Sequence, residues 1–147
     1  MLATLDKNSD KRVLVAITSR EARIWSDGLE KGAEPVIVEA PTEKASVGHL
    51  RQTKHQSGHA EDPVDWGYFD FIADEVRDAS EILIIGHGDG SGSAAARFEK
   101  FVEEHDKEVA KKIVGNLDKN LMAMSENLIL AIGRKWFENF HRHGLPL

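Results

Sequence analysis

Apolar residues in this chain fall into short β-branched blocks and into stretches with helical spacing, and the two patterns separate cleanly along the sequence. Val13 to Thr18 (VLVAIT) and Glu21 to Ser26 (EARIWS) predict two strands joined by a tight turn near Ser19 and Arg20, at hairpin spacing. Alternation then puts Arg23 and Trp25 on one face of the second strand. The polar, glycine-bearing stretch Asp27 to Glu34 predicts a turn, and Pro35 to Ala40 (PVIVEA) a third strand. Residues 1–12 read as a polar lead-in. From Pro41 to Asp62 apolar periodicity disappears, and a stretch of that length within a compact domain is expected to be a functional or mobile loop.

Asp62 followed by Pro63 marks a helix start, and Trp66, Phe69, Ala73 and Val76 share one face of a helix reaching about Asp78. The unbroken run Ile82-Leu83-Ile84-Ile85 is too short for a globular helix, so it predicts a strand covered on both faces. Glycines 86, 88, 90 and 92 follow, then Ser91 and Ser93 as candidate N-caps of a helix with Phe98, Phe101 and Val102 on its buried side. That helix fades near His105. A short helical turn over Asp106 to Ala110 leads to a fifth strand, Lys112 to Leu117. Leu121, Met124, Leu128, Ile132, Trp136 and Phe140 recur at helical steps and predict a long C-terminal helix, in which Gly133 costs about 1 kcal/mol relative to alanine.

The resulting order, β-β-β-α-β-α-β-α, is that of a ribonuclease-H-like α/β fold: a five-stranded mixed sheet with helices on both faces. A length of 147 residues suits a single domain, 1–147, with a core of its own. No cysteine is present, which removes disulfides, thiol nucleophiles and thiolate metal sites. The lead-in lacks the apolar core of a signal peptide, and no run reaches the roughly 20 apolar residues of a membrane span, so a cytoplasmic protein without membrane contact is expected. Net charge is −6, and any nucleic-acid argument must therefore rest on a local patch.

Three stretches carry candidate chemistry. Gly86-His87-Gly88-Asp89-Gly90-Ser91 has a serine where the dinucleotide fingerprint needs its third glycine, and no Gly-Lys-Ser/Thr follows. Its plain reading is a strand-to-helix turn that needs positive φ angles. Its functional reading is an anion-binding nest of Gly86, His87, Gly88, Gly90, Ser91 and Ser93 for a small molecule or nucleotide phosphate, with His87 as base if the site is hydrolytic. A two-metal nuclease of this fold needs a carboxylate on the first strand. Glu75 and Asp89 offer two acids elsewhere, but VLVAIT has none, so metal-dependent nuclease chemistry is not expected.

The second stretch, Lys44 to His59 (KASVGHLRQTKHQSGH), holds Lys44, Arg51, Lys54, His49, His55 and His59 and no acid, within an acidic chain. A solvated loop is the plain reading. The functional one is contact with RNA phosphates, with histidines adding pH-sensitive charge. The histidine spacing matches no standard zinc pattern, so neither metal nor cofactor is expected, and Ser57 has no partner that would make it a nucleophile. The third stretch, Arg134 to His143, mixes cations with Trp136 and Phe140. It reads as core anchors with charges complementing the helix's negative end, or else as a second nucleic-acid or protein contact surface that includes homodimerisation.

The combination VLVAITSREARIW, a histidine-bearing loop and DPVDWGYFDFIADEVRDASEILIIGHGDGSGSAAARFEKFVEEHDKEVAKKIVGNLD resembles the small bacterial relatives of the archaeal and eukaryotic peptide-chain release factor and Pelota family, often labelled translational machinery proteins. The resemblance runs from Arg12 to Phe137 and corresponds to that family's central ribonuclease-H-like domain. It implies a stand-alone domain touching ribosomal RNA, tRNA or a translation factor through the long loop, without the codon-reading and partner-binding domains of full-length factors. In release factors the matching loop carries Gly-Gly-Gln, which promotes peptidyl-tRNA hydrolysis. Here it reads His55-Gln56-Ser57-Gly58, so Gln56 lacks its two preceding glycines. With both the tripeptide and the first-strand carboxylate missing, the expectation is a non-catalytic protein contacting RNA through Lys44, His49, Arg51, Lys54, His55, Gln56 and His59.

Overall fold

The computed structural model describes residues 11–40, 63–88 and 93–143. Strands β1 (Arg12–Ile17), β2 (Glu21–Trp25) and β3 (Val36–Glu39) are followed by α1 (Pro63–Val76), β4 (Glu81–Gly86), α2 (Ala94–His105), the single turn α3 (Lys107–Ala110), β5 (Ile113–Asp118) and α4 (Glu126–His143). The five strands form one sheet in the order β3-β2-β1-β4-β5. β1, β2 and β3 pair antiparallel, whereas β4 lies parallel to both β1 and β5. This is the ribonuclease-H-like arrangement expected from the element order.

The strands form where the β-branched blocks lie, and their alternation feeds two cores. Val13, Val15 and Ile17 of β1, with Ile82 and Ile84 of β4, face α1, α2 and α3, where Phe69, Ile72, Phe98 and Val102 are buried. Leu14, Ala16, Leu83 and Ile85 face the other way, against Ile129, Leu130 and Phe137 of α4. Strands buried on both faces need continuous apolar runs, which explains why VLVAI and ILII do not alternate with polar residues. At the β1–β2 turn the Thr18 hydroxyl accepts the Arg20 and Glu21 N–H groups at 3.1 and 3.2 Å, which sets the hairpin. Trp25 and Arg23 share the α4 face as expected. The Trp25 indole donates to the Ala33 carbonyl at 3.0 Å, and Arg23 Nη1 lies 3.6 Å from Glu126 at the start of α4.

The C-terminal helix corrects the sequence expectation in two ways. Leu121 to Ala123 is a separate 3-10 turn, Met124 is extended, and α4 begins only after Ser125, whose hydroxyl accepts the Leu128 N–H at 3.1 Å. A serine cap restarts the helix and rotates its buried stripe. The stripe runs through Ile129, Leu130, Gly133 and Phe137; Leu128 is 47% exposed, and Trp136 and Phe140 are only half-buried. Gly133 is there for packing. A Cβ at that position would stand 2.8 Å from Leu14 Cδ2, so the glycine lets α4 cross close over β1. Three cations of the stretch Arg134 to His143 are engaged within the fold: Arg134 Nη1 donates to the Leu29 carbonyl at 2.6 Å, His141 Nε2 lies 2.6 Å from Glu81, and Arg142 lies 3.5 Å from Glu138.

Candidate functional site at the carboxyl end of the sheet

The three parallel strands end together, with Ile17 of β1 beside Gly86 of β4 and Gly86 beside Asp118 of β5. In open α/β sheets this edge is where ligands gather, because strand ends and helix N-termini leave backbone groups unpaired there. Both residues that frame the cationic stretch are tied to the same edge. The Ala40 N–H donates to the Arg20 carbonyl at 2.8 Å, just after β3. The Tyr68 hydroxyl, early in α1, donates to the Thr18 carbonyl at 2.8 Å. Two stretches that compete as sites in the sequence, the glycine turn and the segment 41–62, are thus attached at one end of the molecule. Lys44, His49, Arg51, Lys54, His55, Gln56 and His59 themselves lie outside the described residues, as do Gly90 and Ser91.

The described residues of the glycine turn, Gly86, His87, Gly88 and Ser93, each have a role within the fold. Gly86 is buried, and a Cβ there would stand 2.6 Å from the Ala95 Cβ, so its role is to let α2 approach β4. Gly88 alone of the two supplies a positive φ, +96°. Its N–H donates to Asp118 Oδ1 at 2.8 Å, and the Lys119 N–H donates to the Gly86 carbonyl at 2.9 Å. The Gly88 N–H thus already holds a carboxylate of its own chain. Ser93 caps α2, its hydroxyl accepting the Ala96 N–H at 3.2 Å. His87 Nδ1 accepts the Leu121 N–H at 3.1 Å, which ties the imidazole to the turn after β5. What remains open is a shallow cleft of about 350 Å³ lined by His87, Gly88, Asp118, Lys119 and Asn120.

Asp118 is the residue that sequence reasoning missed. It lies one position past the predicted end of β5, and its partner is far away in the chain; an acid at a strand terminus carries no signal of its own. Nearby, Asn116 donates to the Glu99 carboxylate, yet burial, helped by Glu103, raises the Glu99 pKa above the ordinary glutamate value. Glu75, the carboxylate weighed for nuclease chemistry, is exposed on α1. Among the described residues no group of three or more histidines and carboxylates is placed to hold a metal ion, and no helix is long and apolar enough to cross a membrane.

The fold and this edge define a ribonuclease-H-like α/β domain with a cationic segment attached at the carboxyl end of its sheet. No protein-family model matches the sequence, and no curated protein matches it. Among solved structures, a crystal structure of Archaeoglobus fulgidus Pelota, described as revealing inter-domain structural plasticity, is similar over 91% of this chain at 17% identity and a TM-score of 0.48. The chain matches 34% of that protein's length.

Proposed function

We propose that this protein is a non-catalytic, translation-associated domain that binds the ribosome through RNA contacts made by the segment Lys44 to His59. The observation that carries the reading is the charge of that segment: three Lys/Arg and three histidines without an acid, in a chain of net charge −6. The tie of its flanking residues to the carboxyl end of the sheet, beside the glycine turn, supports the reading. The Gly88 N–H is already taken by Asp118, and an incoming phosphate would have to displace that carboxylate. Arg51 and Lys54 neutralise backbone phosphates, and Gln56, His49, His55 and His59 add hydrogen bonds. The sequence resemblance to the release factor and Pelota family gives the partner its class, with a translation factor as the neighbouring possibility within it.

Co-sedimentation with ribosomes at two salt concentrations tests the proposal. Binding should weaken steeply with salt, as phosphate contacts dictate, and Arg51→Ala with Lys54→Ala should abolish it. A double variant that sediments like the parent refutes the segment's role. A translation-factor partner would instead show binding that survives ribonuclease treatment.

A further inference from the structure

A cleft roomier than the one beside His87 lies at the other end of the sheet. It measures about 780 Å³ and opens between the amino end of β1, the turn after β2 and the last two turns of α4. Its apolar lining residues are Leu29 and the buried Phe137. Lys11, Arg12 and Arg134 bring cations to it from two segments far apart in sequence, facing Asp27 and Glu138. We propose that this cleft binds a small organic anion, a single phosphate or carboxylate group carried on an apolar body.

Several observations converge on that ligand. The volume falls in the range of small-molecule sites and exceeds what an inorganic ion fills. Arg134 is held in place by its bond to the Leu29 carbonyl, which uses Nη1 and leaves other guanidinium N–H groups as donors. Lys11 has no ion-pair partner among the described residues, although its backbone is fixed, the Lys11 N–H donating to Ser80 Oγ at 2.8 Å. Glu138 is shared with Arg142 at 3.5 Å, which leaves Asp27 as an acceptor for a ligand hydroxyl or amine. Arg12 has only a long contact to Glu81, 3.9 Å, because the same Glu81 oxygen is drawn to His141 at 2.6 Å. An anion entering the cleft therefore competes with Glu81 for Arg12. This site is at the opposite end of the strands from the RNA-binding proposal and does not depend on it.

Binding is measured by calorimetry with phenyl phosphate, benzoate and adenosine monophosphate, against benzyl alcohol, adenosine and inorganic phosphate. At least one organic anion should bind, with its neutral counterpart and inorganic phosphate at least tenfold weaker. Lys11→Ala with Arg12→Ala should weaken that anion at least tenfold, Glu81→Gln should tighten it several-fold, and Arg51→Ala with Lys54→Ala should leave it unchanged. Amide shifts in the parent protein, which need no variant, should cluster at Gly28, Leu29 and Arg134. The proposal fails if no anion binds at millimolar concentration, if neutral counterparts bind equally well, or if the shifts fall at Gly88 and Lys119 instead.

Discussion

The two ends of the parallel strands differ in a way their positions in the fold do not predict. At the carboxyl end, where α/β proteins usually hold ligands, described groups are paired within the chain: Asp118 on Gly88, Leu121 on His87, Ser93 on α2. The amino end carries the roomier cleft, where Lys11 has no ion-pair partner among the described residues and Arg12 has only a long contact to Glu81. A site's place in a topology is therefore a weaker guide than the accounting of its donors and acceptors. A backbone nest that already binds a carboxylate is part of the structure, and a cleft whose cations lack full partners is open to a ligand.

That contrast can be broken or sharpened by substitutions at the carboxyl end. The largest effect is expected from Gly86→Val, which drives a side chain into Ala95 and forces α2 away from β4. Overpacking of this kind costs roughly 1–3 kcal/mol. In a chain of this size the melting temperature should fall by about 2–4 °C per kcal/mol. A melting temperature equal to the parent's would show that α2 is not packed against Gly86 as described. Asp118→Ala should cost less, about 0.5–1.5 kcal/mol for one hydrogen bond. It should also give the protein a stabilisation by added phosphate that the parent lacks, since Gly88 N–H becomes free. Equal phosphate responses in thermal melts of the two proteins would remove the nest from consideration.

The smallest effect concerns pH. Glu99 has a folded-state pKa raised by burial, so the folded protein binds its proton more tightly than the unfolded chain. Its charged form thus costs stability above the raised value. That cost fades as pH falls through the raised value towards the ordinary glutamate value near about 4.3, below which both states are protonated. Glu99→Gln should accordingly stabilise the protein slightly at neutral pH and not at all in acid. Because Glu99 is only half-buried, solvent screening keeps the gain small. Denaturant titrations of parent and variant at neutral and acid pH would show it, and a constant difference across pH would disprove the burial argument.

Much of this protein was determined locally. The β-branched runs VLVAI and ILII specify buried strands by composition, the alternation in EARIW sets Arg23 and Trp25 on one face, and Asp62-Pro63 marks the start of α1. The cationic segment 44–59 is likewise legible, because charge composition requires no knowledge of neighbours. Tertiary structure alone decided the rest, since each remaining feature depends on residues distant in sequence. The apolar period of α4 could not reveal that Ser125 restarts the helix and turns Leu128 outward, nor that Gly133 is there for Leu14. The glycines after β4 looked like an open nest until β5 brought Asp118 to Gly88. Lys11, Arg12 and Arg134 became a cleft only when α4 packed back across the amino end of β1. Periodicity reports which face of an element is buried, whereas occupancy of a site depends on contacts that close only when the sheet and its helices come together.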